Sequence, residues 1–220
     1  MIGYYTSLKK LQMKHYIFGY GSLIETESRL RDAPMAKVAF PAIAHGFQRG
    51  WYARMPESLA SISPTYLGCF PYEEAYTNGV IYEVTEAELE ATDEREKGYK
   101  RMKVEHLKEY YPVTDPGDTV WIYVNEFPDV VPPPSVYPTQ EFPIVQSYVD
   151  ICINGCLEIE NSFPKAKEDF FTIDFIRSTF EWNEHWANDR IYPRRPFMYR
   201  KNAFAIDKIL KENLPELFSK

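Results

Sequence analysis

The chain has 220 residues, 45% of them apolar and 16% aromatic, and a formal net charge of −7. That length and apolar content suit one substantial folded body and exclude a disordered chain. The acidic balance and scattered Lys and Arg argue against a nucleic-acid partner, and the lack of a bilayer-length apolar run or signal-peptide core points to a cytoplasmic protein away from membranes.

Residues 1–14 read as a polar leader, within which Met13 offers an alternative start. From residue 15 to about residue 125 the pattern is mostly that of strands, in HYIFGY, AIAHGFQRGWYA, NGVIYEV, YKRMKVEHL and TVWIYVNEF. The first strand breaks into Gly19-Tyr20-Gly21-Ser22. Glycines there permit either a plain turn or a close approach of a ligand to the backbone. One short helix, TEAELEATDEREK, follows NGVIYEV; Thr85 and Glu88 form a capping box and Gly98 is a stop signal. PDVVPPPSVYPTQEFP, residues 128–143, is a proline-rich connector. Beyond it the period turns helical in IVQSYVDICINGCLEI, KEDFFTIDFIRSTFEWNEHWAND and KNAFAIDKILKENL. Residues 157–220 are therefore expected to be a helical extension packed on the same body.

The short helix carries the most chemical information. Leu89 is its only large apolar residue, so the Leu89 face is expected to be buried. Glu96 lies about 20° from Leu89 in azimuth, Asp93 about 40° and Glu94 about 140°. Glu96 is thus the inward carboxylate, with Asp93 competing. An inward carboxylate is either salt-bridged, to Arg54 or Arg101, or a proton carrier whose pKa partial burial raises.

Cys69, Cys152 and Cys156 form a sparse, odd set suited to a reducing compartment. Cys152 and Cys156 would share a helical face, as a redox or metal pair or as two small core residues; no further ligands lie nearby. His15, His45, His106 and His185 are isolated, and no metal site is indicated.

The motifs FGYGSL and, some 60 residues later, NGVIYEVTEAELEATDEREKGYKR resemble the γ-glutamylcyclotransferase-like superfamily. Its hallmarks fall on Tyr20-Gly21-Ser22-Leu23, on Gly79-Val80-Ile81-Tyr82, and on Asp93-Glu94-Arg95-Glu96. TVWIYV and the seven-residue step from Tyr148 to Gly155 are softer matches, so the resemblance covers residues 15–156. Thr92 stands where the family usually has Leu, and Lys97 separates Glu96 from Gly98. The resemblance implies an α+β fold, a small mixed β-barrel with flanking helices, followed by the helical extension. It implies Glu96 as the catalytic residue, and Tyr20, Gly21, Ser22, Leu23 and Tyr123 around the substrate. The implied reaction converts a γ-glutamyl amino acid, peptide or amine to 5-oxoproline and a free amine, with no cofactor. Leu23, where other members have Asn, leans toward the glutathione-specific branch.

Other readings compete. Ser22 as a nucleophile would need a base, and no histidine is placed in sequence to activate it. Tyr20, Tyr82 and Tyr123 either line the cavity or pack the core. Arg194 and Arg195, between two prolines, either clamp a carboxylate or form a solvated loop; Trp182 and Trp186 share a helical face, as core or as a ligand platform. The whole chain could instead be a non-catalytic module binding a small γ-glutamyl-like ligand or a protein, or its C-terminal helices a partner-docking face. A small-molecule partner and a monomer or homodimer are expected.

Overall fold

A computed structural model describes residues 13–54, 64–128, 131–190 and 202–218. Within them β1 (His15–Gly19) leads through a 3₁₀ turn (Ser22–Ile24) into α1 (Thr26–Asp32). Two long strands follow, β2 (Phe40–Arg54) and β3 (Thr65–Val84), then α2 (Glu86–Arg95). Next come β4 (Lys100–Lys103), β5 (Leu107–Glu109), β6 (Thr119–Val124) and β7 (Ile144–Val145). The C-terminal part holds α3 (Gln146–Ser162), α4 (Pro164–Glu168), α5 (Phe171–Arg177), β8 (Thr179–Phe180), β9 (Trp186–Ala187), α6 (Ala203–Asn213) and α7 (Pro215–Phe218).

The sheet is mixed, with the hydrogen-bonded order β4-β6-β1-β3-β2-β5. β1 is central: it pairs antiparallel with β3, Ile17 opposite Tyr82, and parallel with β6, Ile17 opposite Trp121. A central strand is covered on both faces, which explains why HYIFG is apolar throughout rather than alternating. Ile17 points into a core shared with α3, α5 and α6, while Tyr16 and Phe18 point into a second core.

The buried members of that second core come from strands and adjoining loops alone, and Met102 of β4 and Leu107 of β5 both pack against it. Those strands end the sheet order on opposite sides, so the sheet must curl over its concave face to bring them to one cluster. The α+β fold with a strongly curved mixed sheet and flanking helices agrees with the expectation.

Two elements differ from the sequence reading. β3 begins at Thr65, well before NGVIYEV, and its residues 71–74 and 76 are exposed, so this part of the strand lacks a strong apolar signal. The helical period over residues 167–189 survives only in α4 and α5. The backbone is left-handed at Phe170 (φ 54°) and Glu181 (φ 64°), and β8 runs parallel to β2 with Thr179 opposite Arg49. The cause is tertiary: the Ser178 and Thr179 hydroxyls accept hydrogen bonds from the buried Arg49 guanidinium. Trp182 and Trp186 consequently meet as stacked rings 5.7 Å apart across a non-helical segment. No helix among the described residues is long and apolar enough to cross a membrane. Arg194, Arg195 and residues 1–12 of the leader lie outside the described residues.

Candidate active site

Strand β1 delivers Tyr20 and the turn after it. The Tyr20 ring packs against the second core, and its hydroxyl donates to the Tyr123 carbonyl oxygen at 2.8 Å. The 3₁₀ turn closes with Ile24 N–H on the Gly21 carbonyl (3.0 Å) and Glu25 N–H on that of Ser22 (3.3 Å). A turn of this kind bonds each N–H to the carbonyl three residues back, so the Ser22 and Leu23 amides at its start have no partner within it. Buried Glu25 then caps α1 by accepting the Ser28 N–H at 2.6 Å.

The carbonyl side of this turn is held by cations and a helix. Arg29, 2% exposed, donates to the carbonyls of Leu23 (3.1 Å) and Ile24 (3.0 Å). Arg49, fully buried, donates to the Tyr20 carbonyl at 3.2 Å. Helix α3 lies against the turn through Tyr148 and Gly155, which are two helical turns apart and so share a face. A Cβ on Gly21 would lie 2.9 Å from the Tyr148 hydroxyl, and one on Gly155 would lie 2.4 Å from the Glu25 nitrogen. The turn's carbonyls are thus engaged, while its leading Ser22 and Leu23 amides have no backbone acceptor among the described residues.

Glu96 reaches this region from α2. The helix starts at the expected capping box, with Thr85 Oγ1 accepting the Glu88 N–H (3.2 Å) and Glu88 Oε2 accepting the Thr85 N–H (2.8 Å). It ends one residue before Glu96, whose own N–H closes on the Thr92 carbonyl at 2.8 Å. The Glu96 side chain is 27% exposed and accepts a hydrogen bond from Arg95 Nε at 3.1 Å. Its charge contributes to raising the Tyr99 phenol and, as the smallest of the causes there, the Tyr20 phenol.

Burial is the larger cause at Tyr99, whose phenol is pushed up to about 12, and at Tyr20, held well above its ordinary value. Both therefore remain neutral hydroxyls at neutral pH. Burial likewise holds the Cys69 thiol at about 12, which keeps it protonated and unreactive.

Asp93, the competing inward carboxylate, is occupied. It accepts the Tyr123 hydroxyl and an Arg101 N–H, each at 2.8 Å. Arg54, the other arginine weighed as a partner for Glu96, donates instead to the Tyr137 carbonyl and stacks on Phe142. Glu96 thus keeps no strong ion pair with either of them.

Tyr20, Gly21, Ser22 and Leu23 form one continuous turn after β1, and Glu96 stands at the C-terminal end of α2. Tyr123 supports this group from behind, through Asp93 and Tyr20. Tyr82 lies in the main core, 5.9 Å below the Arg29 guanidinium.

Sequence reasoning left out Tyr99, Asn125, Arg29 and Arg49. Asn125 accepts the Cys69 N–H at 3.2 Å, and its side chain lies near enough to the Tyr99 phenol to oppose part of the effect of burial there. A polar Asn directly after the apolar TVWIYV strand was a usable signal for it. Cys152 and Cys156 are buried and form no disulfide, and among the described residues no group of three or more His, Cys, Asp or Glu side chains could hold a metal ion.

A carboxylate partly open to solvent, neutral phenols and a turn with free leading amides can move one proton and hold one oxyanion. A family model described as ChaC-like protein matches residues 15–129. A γ-glutamyl cyclotransferase structure aligns at a TM-score of 0.51 and 17% identity, over 90% of this chain and 99% of that one. A human protein described as uncharacterized aligns equally well, at a TM-score of 0.51 and 16% identity, over 91% of this chain and 99% of its own. No curated protein matches the sequence. At these identities the structural likeness establishes the fold, while the family model spans more than half of the chain. The chain belongs to the ChaC-like family.

Proposed function

We propose that the chain is a γ-glutamyl cyclotransferase acting on a γ-glutamyl amino acid, peptide or amine. What supports this reading is the ChaC-like family match together with a partly exposed carboxylate, Glu96, whose charge contributes to raising the Tyr99 and Tyr20 phenols. In this reading the substrate's α-amine attacks its own γ-carbonyl carbon. Glu96 takes a proton from that nitrogen as the new C–N bond forms, then gives a proton to the departing amine as the old C–N bond breaks. The turn's amides stabilise the negative charge that develops on the γ-carbonyl oxygen.

The products are 5-oxoproline and a free amino acid, dipeptide or amine. Nucleophile and electrophile belong to one molecule, so orientation and proton transfer suffice; well-aligned intramolecular reactions reach effective molarities of roughly 10⁵–10⁸ M. The neutral phenols suit this reading because they add no second negative charge to that of Glu96.

The test is release of 5-oxoproline from glutathione, γ-glutamyl-alanine and γ-glutamyl-ε-lysine, with Glu96→Gln beside the wild type. Turnover of one donor that disappears in the folded variant supports the reading and names the leaving group. A donor that shifts the melting temperature of the wild type without yielding product would replace it with a binding module.

A further inference from the structure

Arg49 has no role in the reaction as described, yet it is the most enclosed charge in the described structure, 0% exposed. Its Nε donates to Thr179 Oγ1 (2.7 Å). Nη1 donates to the carbonyls of Tyr20 (3.2 Å) and Asn78 (2.6 Å). Nη2 donates to Asn78 Oδ1 (2.8 Å), the Phe175 carbonyl (2.9 Å) and Ser178 Oγ (2.9 Å). The guanidinium also lies 3.9 Å over the Phe175 ring. Among the described residues none of these partners is a carboxylate, and Asp174, close in sequence to several of them, accepts the Tyr76 hydroxyl instead. The positive charge is therefore solvated directly by neutral dipoles, and Asp174 favours it without a direct contact.

A buried ion without a counter-ion is costly, and apolar packing would tie β2 to α5 and β8 at lower cost. What an apolar residue lacks is the field at the Tyr20 carbonyl. That carbonyl and the Gly21 N–H belong to one peptide unit. A charged donor on the oxygen draws electron density through the amide and makes its N–H a stronger donor.

Arg29 provides the contrast within the same turn. Its acceptors are the carbonyls of Leu23 and Ile24, whose peptide units carry the N–H groups of Ile24 and Glu25. Those two are already spent on Gly21 and Ser22. The Gly21 N–H has no backbone acceptor among the described residues.

We propose that Arg49 is a positioning residue that polarises the Tyr20–Gly21 peptide and so strengthens the Gly21 amide as an anion-binding donor. In the cyclotransferase reading, on which this use of it rests, the anion is the oxygen developing on the γ-carbonyl. The polarisation itself does not depend on that reading.

The experiment compares the full-length wild type with Arg49→Met and Arg49→Lys by two readouts. The first is NMR of the Tyr20 carbonyl carbon and the Gly21 amide proton. Both resonances should move upfield in Arg49→Met and recover in part in Arg49→Lys, which keeps a charge and one donor. The second is kcat and KM for whichever of the three donors the wild type turns over. A fall in kcat of about 10- to 100-fold with a smaller change in KM is expected, somewhat below the cost of deleting an oxyanion donor outright. Unmoved Tyr20 and Gly21 resonances, in a variant whose Asn78 and Thr179 signals do move, would make Arg49 purely structural and overturn the proposal. So would an unchanged kcat. If Arg49→Met does not fold, the same resonances in Arg49→Lys decide. If the wild type turns over no donor, the cyclotransferase reading falls, and the resonances alone judge Arg49.

Discussion

Gly155→Ala isolates the contact between α3 and the active-site turn. The added methyl would lie 2.4 Å from the Glu25 nitrogen, 2.8 Å from the Glu25 Cα and 2.8 Å from the Ile24 carbonyl carbon. All three are backbone atoms, so no side chain can rotate away. Relief to ordinary van der Waals contact requires α3 and the turn to separate by about 1 Å. Overpacking of this kind costs about 1–3 kcal/mol, and alanine's better helix propensity returns about 1 kcal/mol. The net loss of stability should therefore be small, on the order of 1 kcal/mol. Activity should suffer more, because a displacement of about 1 Å in positioning groups can cost about 100-fold in rate. Thermal unfolding and 5-oxoproline release at saturating donor measure the two effects separately. A variant that melts normally and keeps its kcat would refute the argument that α3 sets the position of the turn. A variant that loses several kcal/mol while each folded molecule works normally would refute it equally.

Two further outcomes follow from buried charges. Arg190 joins Asp150 on α3 to Asp207 on α6, with a two-point contact to Asp150 at 2.7 Å and N–O distances of 2.8 and 3.0 Å to Asp207. Arg190 and Asp150 are each only 14% exposed at the side chain, so Arg190→Met should cost about 3 kcal/mol. Hydrogen exchange should quicken in Ala203–Asn213 before the sheet is affected; uniform loosening of all elements would argue against this clamp. Glu25 behaves differently, because burial raises its carboxyl pKa, with the Ser28 amide opposing. A raised folded-state pKa contributes stability that is full below the unfolded value and lost as pH rises through the folded one. The melting temperature of the wild type minus that of Glu25→Gln should fall as pH rises above the ordinary glutamate value of 4.5, and a difference that is flat or grows would contradict the burial argument.

Much of this molecule was legible locally. The capping box at Thr85 and Glu88, the strand character of HYIFG and TVWIYV, and the helical period of α3 and α6 depend on neighbours within a few residues. Such short-range preferences are visible in composition and spacing. The inward face of α2 was legible for the same reason, since Leu89 marks one side of a short helix.

The choice between Asp93 and Glu96 was not. Asp93 is engaged by Tyr123 and Arg101, whose hydrogen bonds to it span 30 and 8 residues and are invisible to the helix pattern. Residues 178–187 kept a helical pattern yet lost the helix, because Arg49, 129 and 130 residues away from its hydroxyl acceptors on Ser178 and Thr179, draws this segment alongside β2. Arg49 itself reads in sequence as an ordinary polar residue of a strand. A buried charge has to be solvated by whatever oxygens the fold assembles around it, and those oxygens come from chain segments that meet only once the sheet has closed over its core.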